Sequence, residues 1–203
     1  MSEPPTTVRR LVEDIRPFDR QEDADRAAVL GWLNETDDVF RRAKPRTPPQ
    51  HLVSYFLLVD PVGPQILLVD HRKSGLWLPA GGHVEPGESP VDTVRREVAE
   101  ELGIAASFPA WLGEKAFFLT VTETVGDPSV RHVDVSLWFV LQGDRRQALT
   151  PDPGEFRAVR WWTPQEVTEA DPAIFDPHLG RMLAKLAEAI PAQPGRETPA
   201  ARS

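Results

Sequence analysis

Between Gly81 and Gly103, a loop rich in glycine and proline runs into a helix-patterned segment whose two faces are chemically opposite. Val94, Val98 and Leu102 recur at i, i+4 and i+8, an apolar stripe suited to anchoring a helix on a sheet. Glu97, Glu100 and Glu101 stand at i, i+3 and i+4, so they share about 100° of helical arc. Three like charges on one face repel and destabilise an isolated helix. A hard divalent cation removes that penalty, because oxygen ligands are what Mg²⁺ takes. A solvated acidic face gives the same E-x-x-E-E string, and those residues alone do not separate the two. The preceding loop adds to the metal reading: Gly81, Gly82 and Gly87 let the backbone fold tightly, so that a main-chain carbonyl can join the carboxylates. Pro90 is tolerated in the first turn of the helix, Gly103 stops it, and Arg96 lies one turn before Glu100 and can brace it.

Around this segment the pattern is mixed. Residues 1–7 are polar and expected to fray. Residues 8–42 read as helical, with Asp19 and Glu22 at capping-box spacing and Ala24, Ala27, Leu30 and Leu33 at helical intervals. Residues 44–50, KPRTPPQ, read as a linker. Strands are expected at 52–59 and 65–69, joined by a turn, and again at 116–123, 133–141 and 158–162. Residues 79–90 read as a loop, and a last helix is expected from Asp176-Pro177 to about Ile190. The division that follows is a helical extension over 1–45, a main domain over 46–192 and a disordered tail over 193–203. Strands around one central helix point to an α/β fold with helices on both faces of a mixed sheet.

Composition narrows the chemistry. The chain has no cysteine, which excludes disulfides, thiolate metal sites and cysteine nucleophiles. Its formal charge of −8 sets a polynucleotide substrate at a disadvantage unless a local basic patch exists. An acidic chain that handles phosphates needs cations to bring them in. The apolar runs are too short to span a membrane, and the N-terminus lacks a signal-peptide layout, so a cytoplasmic location is the expectation.

The segment from Gly82 through Glu88 to Arg96-Glu97-Val98-x-Glu100-Glu101-x-Gly103-Ile104, led in by Leu78-Pro79-Ala80-Gly81, resembles the Nudix box at every defining position. The resemblance extends over residues 50–165 and implies a Nudix-type α/β/α sandwich. It also implies a hydrolase that cleaves a phosphoanhydride bond of a nucleoside diphosphate-linked substrate by water attack on phosphorus, with Mg²⁺ or Mn²⁺. Carried over, Glu97, Glu100 and Glu101 become metal ligands with the Gly82 carbonyl, Glu97 is the best candidate for general base, and Glu88 and Arg96 form a supporting salt bridge. Some members use a further glutamate from a loop after the sheet. Glu155 in Pro153-Gly154-Glu155-Phe156 stands where such a loop would be, although an ordinary exposed acid fits there equally.

Other positions are open to two readings. Arg72 in His71-Arg72-Lys73 either grips a substrate phosphate or ends a strand as a solvated charge. Alternation over 131–141 puts His132, Asp134, Ser136 and Trp138 on one face. That face is expected to line the cleft, with Trp138 stacking a base, although an exposed sheet face has the same pattern. Trp161 and Trp162 read as core. The helical extension is expected to cover the domain or to make a homodimer contact. A small nucleotide is the expected partner, with no membrane and no nucleic acid. Rival readings are an isoprenoid diphosphate isomerase, which in this family resembles a cysteine enzyme, a non-catalytic nucleotide sensor, which would lose box carboxylates, and an RNA-end-processing enzyme.

Overall fold

A computed structural model describes residues 4–44, 46–63, 65–124 and 129–190. The expected disordered tail lies outside the described residues. Seven strands form one mixed sheet: β1 (Gln50–Asp60), β2 (Gln65–His71), β3 (Trp77–Leu78), β4 (Ala80–His83), β5 (Phe118–Glu123), β6 (Val133–Gln142) and β7 (Phe156–Trp162). The helices are α1 (Pro4–Asp14), α2 (Arg20–Glu35), α3 (Pro90–Leu102), α4 (Pro164–Glu169) and α5 (Leu179–Ala189). The strand order is β3-β2-β1-β6-β5, with β4 also paired to β1 and β7 to β2. β1 and β6 run parallel, from Gln50 beside Val133 to Val59 beside Gln142, while the other pairs are antiparallel.

Side-chain alternation along the strands sorts the interior into two cores. Leu52, Phe56 and Leu58 of β1 with Val135, Leu137 and Phe139 of β6 face α3, whose Val94, Val98 and Leu102 are fully buried against them. Val8 and Val12 of α1 and Val29 of α2 join the same core. On the other face Leu57, Leu68, Trp138 and Val140 pack with Leu179, Met182 and Leu186 of α5. The fold is therefore the α/β/α sandwich that the sequence predicts.

Several boundaries differ from expectation. α1 begins at Pro4, inside the stretch expected to fray. The helical pattern over 8–42 resolves into α1 and α2 and ends at Glu35, where Thr36 turns extended. Ala24 and Ala27 are exposed; the buried face of α2 is instead Glu22, Asp25 and Val29. Glu22 can be buried because Phe18 N–H (2.6 Å), Leu119 N–H (3.2 Å) and Lys185 Nζ (2.7 Å) all donate to it. The Leu119 amide belongs to the edge strand β5, so Glu22 satisfies part of an edge that would otherwise be bare.

The lead-in to the box is also more regular than a loop. Residues Ala80–His83 form β4, antiparallel to β1 with Gly81 opposite Tyr55 and Gly82 opposite Ser54. Gly81 has φ of 143°, and a Cβ there would collide with the Ser54 carbonyl, so this close approach requires glycine. The last helix starts later than expected, at Leu179, because Asp176 first closes a turn by accepting the His178 N–H at 2.8 Å.

Candidate active site

Two caps and a buried stripe fix the carboxylate helix. Ser89 accepts the Asp92 N–H at 3.2 Å at the start of α3, and the Gly103 N–H closes its end on the Ala99 carbonyl at 3.1 Å. With Val94, Val98 and Leu102 pressed on the sheet, Glu97 and Glu101 meet β4. Glu101 is 5% exposed and accepts the Gly81 N–H at 2.9 Å. Burial, followed by the charges of Glu97 and Glu155, pushes its carboxyl up to about 9. Burial also raises Glu97, against the pull of Arg96 at 2.7 Å. The Glu97 carboxylate lies against the Cα of Gly82, where a Cβ would collide with it. Glu100 stands at the rim, its side chain 61% exposed and 3.3 Å from Arg96 Nη1.

Arg96 ties the loop to the helix. It donates to both Glu88 oxygens at 2.9 and 3.0 Å and to the His83 carbonyl at 3.3 Å. Burial alone would raise the Glu88 carboxyl, but Arg96, Thr93 and a backbone amide hold it below its ordinary value. The Gly82–Glu88 loop, Arg96 and the carboxylates are thus one connected structure.

Glu155 lies close enough for its charge to raise both Glu97 and Glu101. Arg72 holds that loop in place: its backbone N–H donates to the Glu155 carbonyl at 2.9 Å and its Nε to the Pro153 carbonyl at 2.9 Å. In this structure the Nε of its guanidinium engages the chain's own loop. Trp138 departs further from expectation. It is 1% exposed, with Nε1 donating to Thr120 Oγ1 at 3.1 Å, because α5 covers that face of β6. It has no open surface on which to stack a base.

His132 and Asp134 do lie together, and sequence reading missed the company they keep. His51 opens β1 beside Asp134 of β6, and His83 ends β4. The Nε2 atoms of His132, His51 and His83 stand 3.3, 3.5 and 3.7 Å from Asp134 Oδ1. Burial lowers His51 to about 4, so its ring is neutral. Arg41 was missed as well. It follows α2 and lines an open cavity of about 220 Å³ with Lys44, His83, Glu85 and Glu97. Burial lowers the Arg41 guanidinium, against the pull of Asp134, Glu97 and Glu85. Its neighbour Arg42 is taken up by Asp38, at 2.8 and 2.6 Å. A cation from the extension therefore faces the box. Its sequence context, a polar stretch ahead of a proline-rich linker, gives no sign of this.

A sandwich with a carboxylate helix set against a glycine strand defines a class of site suited to a cation and a phosphate. The family model described as NUDIX domain matches residues 49–186, and the chain belongs to the Nudix family. It is 31% identical over 120 residues to a NAD-capped RNA hydrolase of Caenorhabditis elegans, a match covering 58% of this chain but only 29% of that protein's length. It is 33% identical over 141 residues to an isopentenyl-diphosphate Delta-isomerase of Nocardia farcinica, covering 66% of this chain and 77% of that one. The solved dihydroneopterin triphosphate pyrophosphohydrolase of E. coli superposes with a TM-score of 0.51 at 18% identity, over 74% of this chain and 97% of that chain, and so shares the fold. Among the described residues no helix is long and apolar enough to cross a membrane.

Proposed function

We propose that this chain is a divalent-cation-dependent hydrolase of a phosphoanhydride bond in a small nucleoside diphosphate-linked substrate. The observation that carries the proposal is the pairing of Glu97 and Glu101 at β4, both with raised carboxyls and one packed against Gly82. Such a set is costly without a cation and fits one well. Glu97, Glu100, Glu101 and the Gly82 carbonyl would hold Mg²⁺ or Mn²⁺, with Glu155 as a further donor. The ion supplies neutralisation of phosphate charge and a lower pKa for attacking water. Glu97, half-buried and beside the cavity, is placed to accept a proton from water. Arg96 and Glu88 hold the loop and helix in register, and Gly103 ends the helix that presents the carboxylates. Arg41 and Lys44 offer positive charge to a phosphate from the cavity wall, a role for which Arg72 was one of two readings in the sequence.

The same basic wall favours a second reading, the pyrophosphate of a capped RNA end, which also accords with the nematode relative's printed activity. The isomerase match does not bring that reaction with it, because the chain has no cysteine to take the catalytic role that resemblance would require. The test is product release from nucleoside triphosphates, nucleotide sugars, dinucleotides and NAD-capped RNA, with Mg²⁺, with Mn²⁺ and after chelation. Turnover of at least one anhydride, abolished by chelator, is expected. Turnover that survives exhaustive chelation, or none on any anhydride, removes the proposal.

A further inference from the structure

We infer that His51, His83, His132 and Asp134 form a second cation site, separate from the box carboxylates and suited to a transition ion of the Zn²⁺ type rather than to Mg²⁺. The four side chains come from distant parts of the chain. His51 and Asp134 are register partners at the start of β1 and β6, His132 immediately precedes β6, and His83 closes β4. One ligand atom from each lies within 4.8 Å of all the others. A tetrahedral ion about 2.0–2.1 Å from each donor sets donor–donor edges of about 3.3–3.4 Å. The three nitrogens stand 3.3, 3.5 and 3.7 Å from the Asp134 oxygen, close to that figure and, at 3.5 and 3.7 Å, too long for N–H···O bonds.

The hydrogen bonds outside the cluster decide what faces inward. His51 is fully buried, and its Nδ1 donates to the Pro48 carbonyl at 2.8 Å. The proton is therefore on Nδ1, and Nε2 presents a bare lone pair. His132 Nδ1 lies 3.0 Å from the Val130 carbonyl, which can only accept, so Nδ1 carries a proton and Nε2 is the ring atom that a cation would take. The buried Nε2 atoms of His51 and His83 and the Oδ1 of Asp134 have no hydrogen-bond partner. The His51 lone pair thus points at a carboxylate oxygen that cannot donate to it, and the Nε2 atoms of His83 and His132 converge on the same oxygen. A hydrogen-bonded histidine–aspartate cluster would turn an N–H into the centre. Here the buried Nε2 atoms of His51 and His83 and the Asp134 oxygen are left without hydrogen-bond partners, and a cation in the middle would satisfy them together. Three imidazoles and one carboxylate match Zn²⁺ and its neighbours, whereas Mg²⁺ prefers an octahedron of oxygens. Such an ion would pin the ends of β1, β4 and β6 together, next to Gly82 of the box.

The experiment uses the full chain, stripped with chelator and dialysed. It is titrated with Zn²⁺, with retained metal counted after gel filtration, and with Co²⁺, read by the visible absorption of a tetrahedral ion. His132→Ala and Asp134→Asn are compared with a box control carrying Glu97→Gln, Glu100→Gln and Glu101→Gln, all checked for folding by circular dichroism. Wild type and the box control are expected to retain one Zn²⁺ per chain in the presence of excess Mg²⁺. The cluster variants should bind at least about tenfold more weakly and lose the Co²⁺ bands. Failure of the wild type to retain zinc overturns the inference. So does unchanged binding by His132→Ala, or loss of the ion in the box control alone. Should Asp134→Asn unfold, His132→Ala still decides, since its side chain lies outside β6. The readout is independent of turnover, so it stands apart from the outcome for the proposed hydrolysis.

Discussion

Glu97 is touched by Arg96, packed on Gly82 and shares the cavity with Arg41. Glu97→Gln keeps its shape and removes a proton acceptor. As the base, its loss is expected to slow turnover by about 10² to 10⁴-fold. Glu100→Gln and Glu101→Gln should weaken metal binding instead, so that added Mg²⁺ partly restores their rates while Glu97→Gln resists rescue. Turnover against metal concentration for the three variants checks this; near-normal turnover by Glu97→Gln at saturating metal would transfer the role to Glu155. These residues could be found in sequence because their geometry is local: three carboxylates within five positions of one helix share a face wherever that helix packs. Arg41, His51 and His83 carry no such signal. His51 and His83 meet through long-range pairing of β1 with β4 and β6, which joins positions more than thirty apart, and Arg41 reaches the cavity from outside the sheet. Trp138 shows the converse. Alternation placed it correctly on the face of His132 and Asp134, but only tertiary structure shows that α5 seals that end of the face.

At the scale of the element, α2 is set by its first turn. Asp19 caps it by accepting the Glu22 N–H at 2.8 Å and also pairs with Arg181 of α5 at 2.6 and 2.7 Å. The Arg181 contact is the largest influence holding the Asp19 carboxyl at about 2, below its ordinary 3.8. A carboxyl depressed by folding stabilises the protein above its unfolded pKa, and that contribution fades as pH falls through the folded value. The Asp19 contribution is therefore fully present above about pH 4 and disappears towards about pH 2. The pair is partly exposed, so its worth is about 1 kcal/mol or less. Thermal melts of wild type and Arg181→Gln from pH 6 to pH 2 measure it. The gap between the two should be widest above about pH 4 and close in acid. A constant gap would mean that Arg181 acts by packing alone. The spacing of Asp19 and Glu22 announced this helix start, although Glu22 turns back to the Phe18 amide and not to the cap itself. β4 was not readable, because Ala-Gly-Gly-His has neither alternation nor β-branched residues. Its pairing depends on the missing side chain of Gly81, a property visible only against Ser54.

For the whole molecule, the buried Glu22–Lys185 pair joins the extension, the sheet edge and the last helix. Its side chains are 0% and 9% exposed, and the Glu22 oxygens also take amides from Phe18 and Leu119. An acidic residue at a core position of α2 looks like an error in the sequence pattern, and contacts ninety-seven and 163 positions away, with the nearby Phe18 amide, explain it. Lys185→Met keeps much of the packing but leaves a carboxylate buried without its countercharge. Breaking one side of such a pair costs about 3–5 kcal/mol. The two remaining amide donors place the expected loss near the lower end of that range. Adding Glu22→Gln to Lys185→Met removes the stranded charge while keeping an oxygen for one amide, so the double variant should recover part of the loss. Denaturant unfolding of wild type, both single variants and the double variant gives the coupling directly. If Lys185→Met stays within about 0.5 kcal/mol of wild type, as most surface changes do, the pair does not bind the extension to the domain. The extension would then be held mainly by Val8, Val12 and Val29 in the α3-side core. If the expected loss appears, the segment carrying Arg41 to the cavity is locked in place by a charge on α5. The shape of the candidate active site then depends on a helix from the opposite face of the sheet.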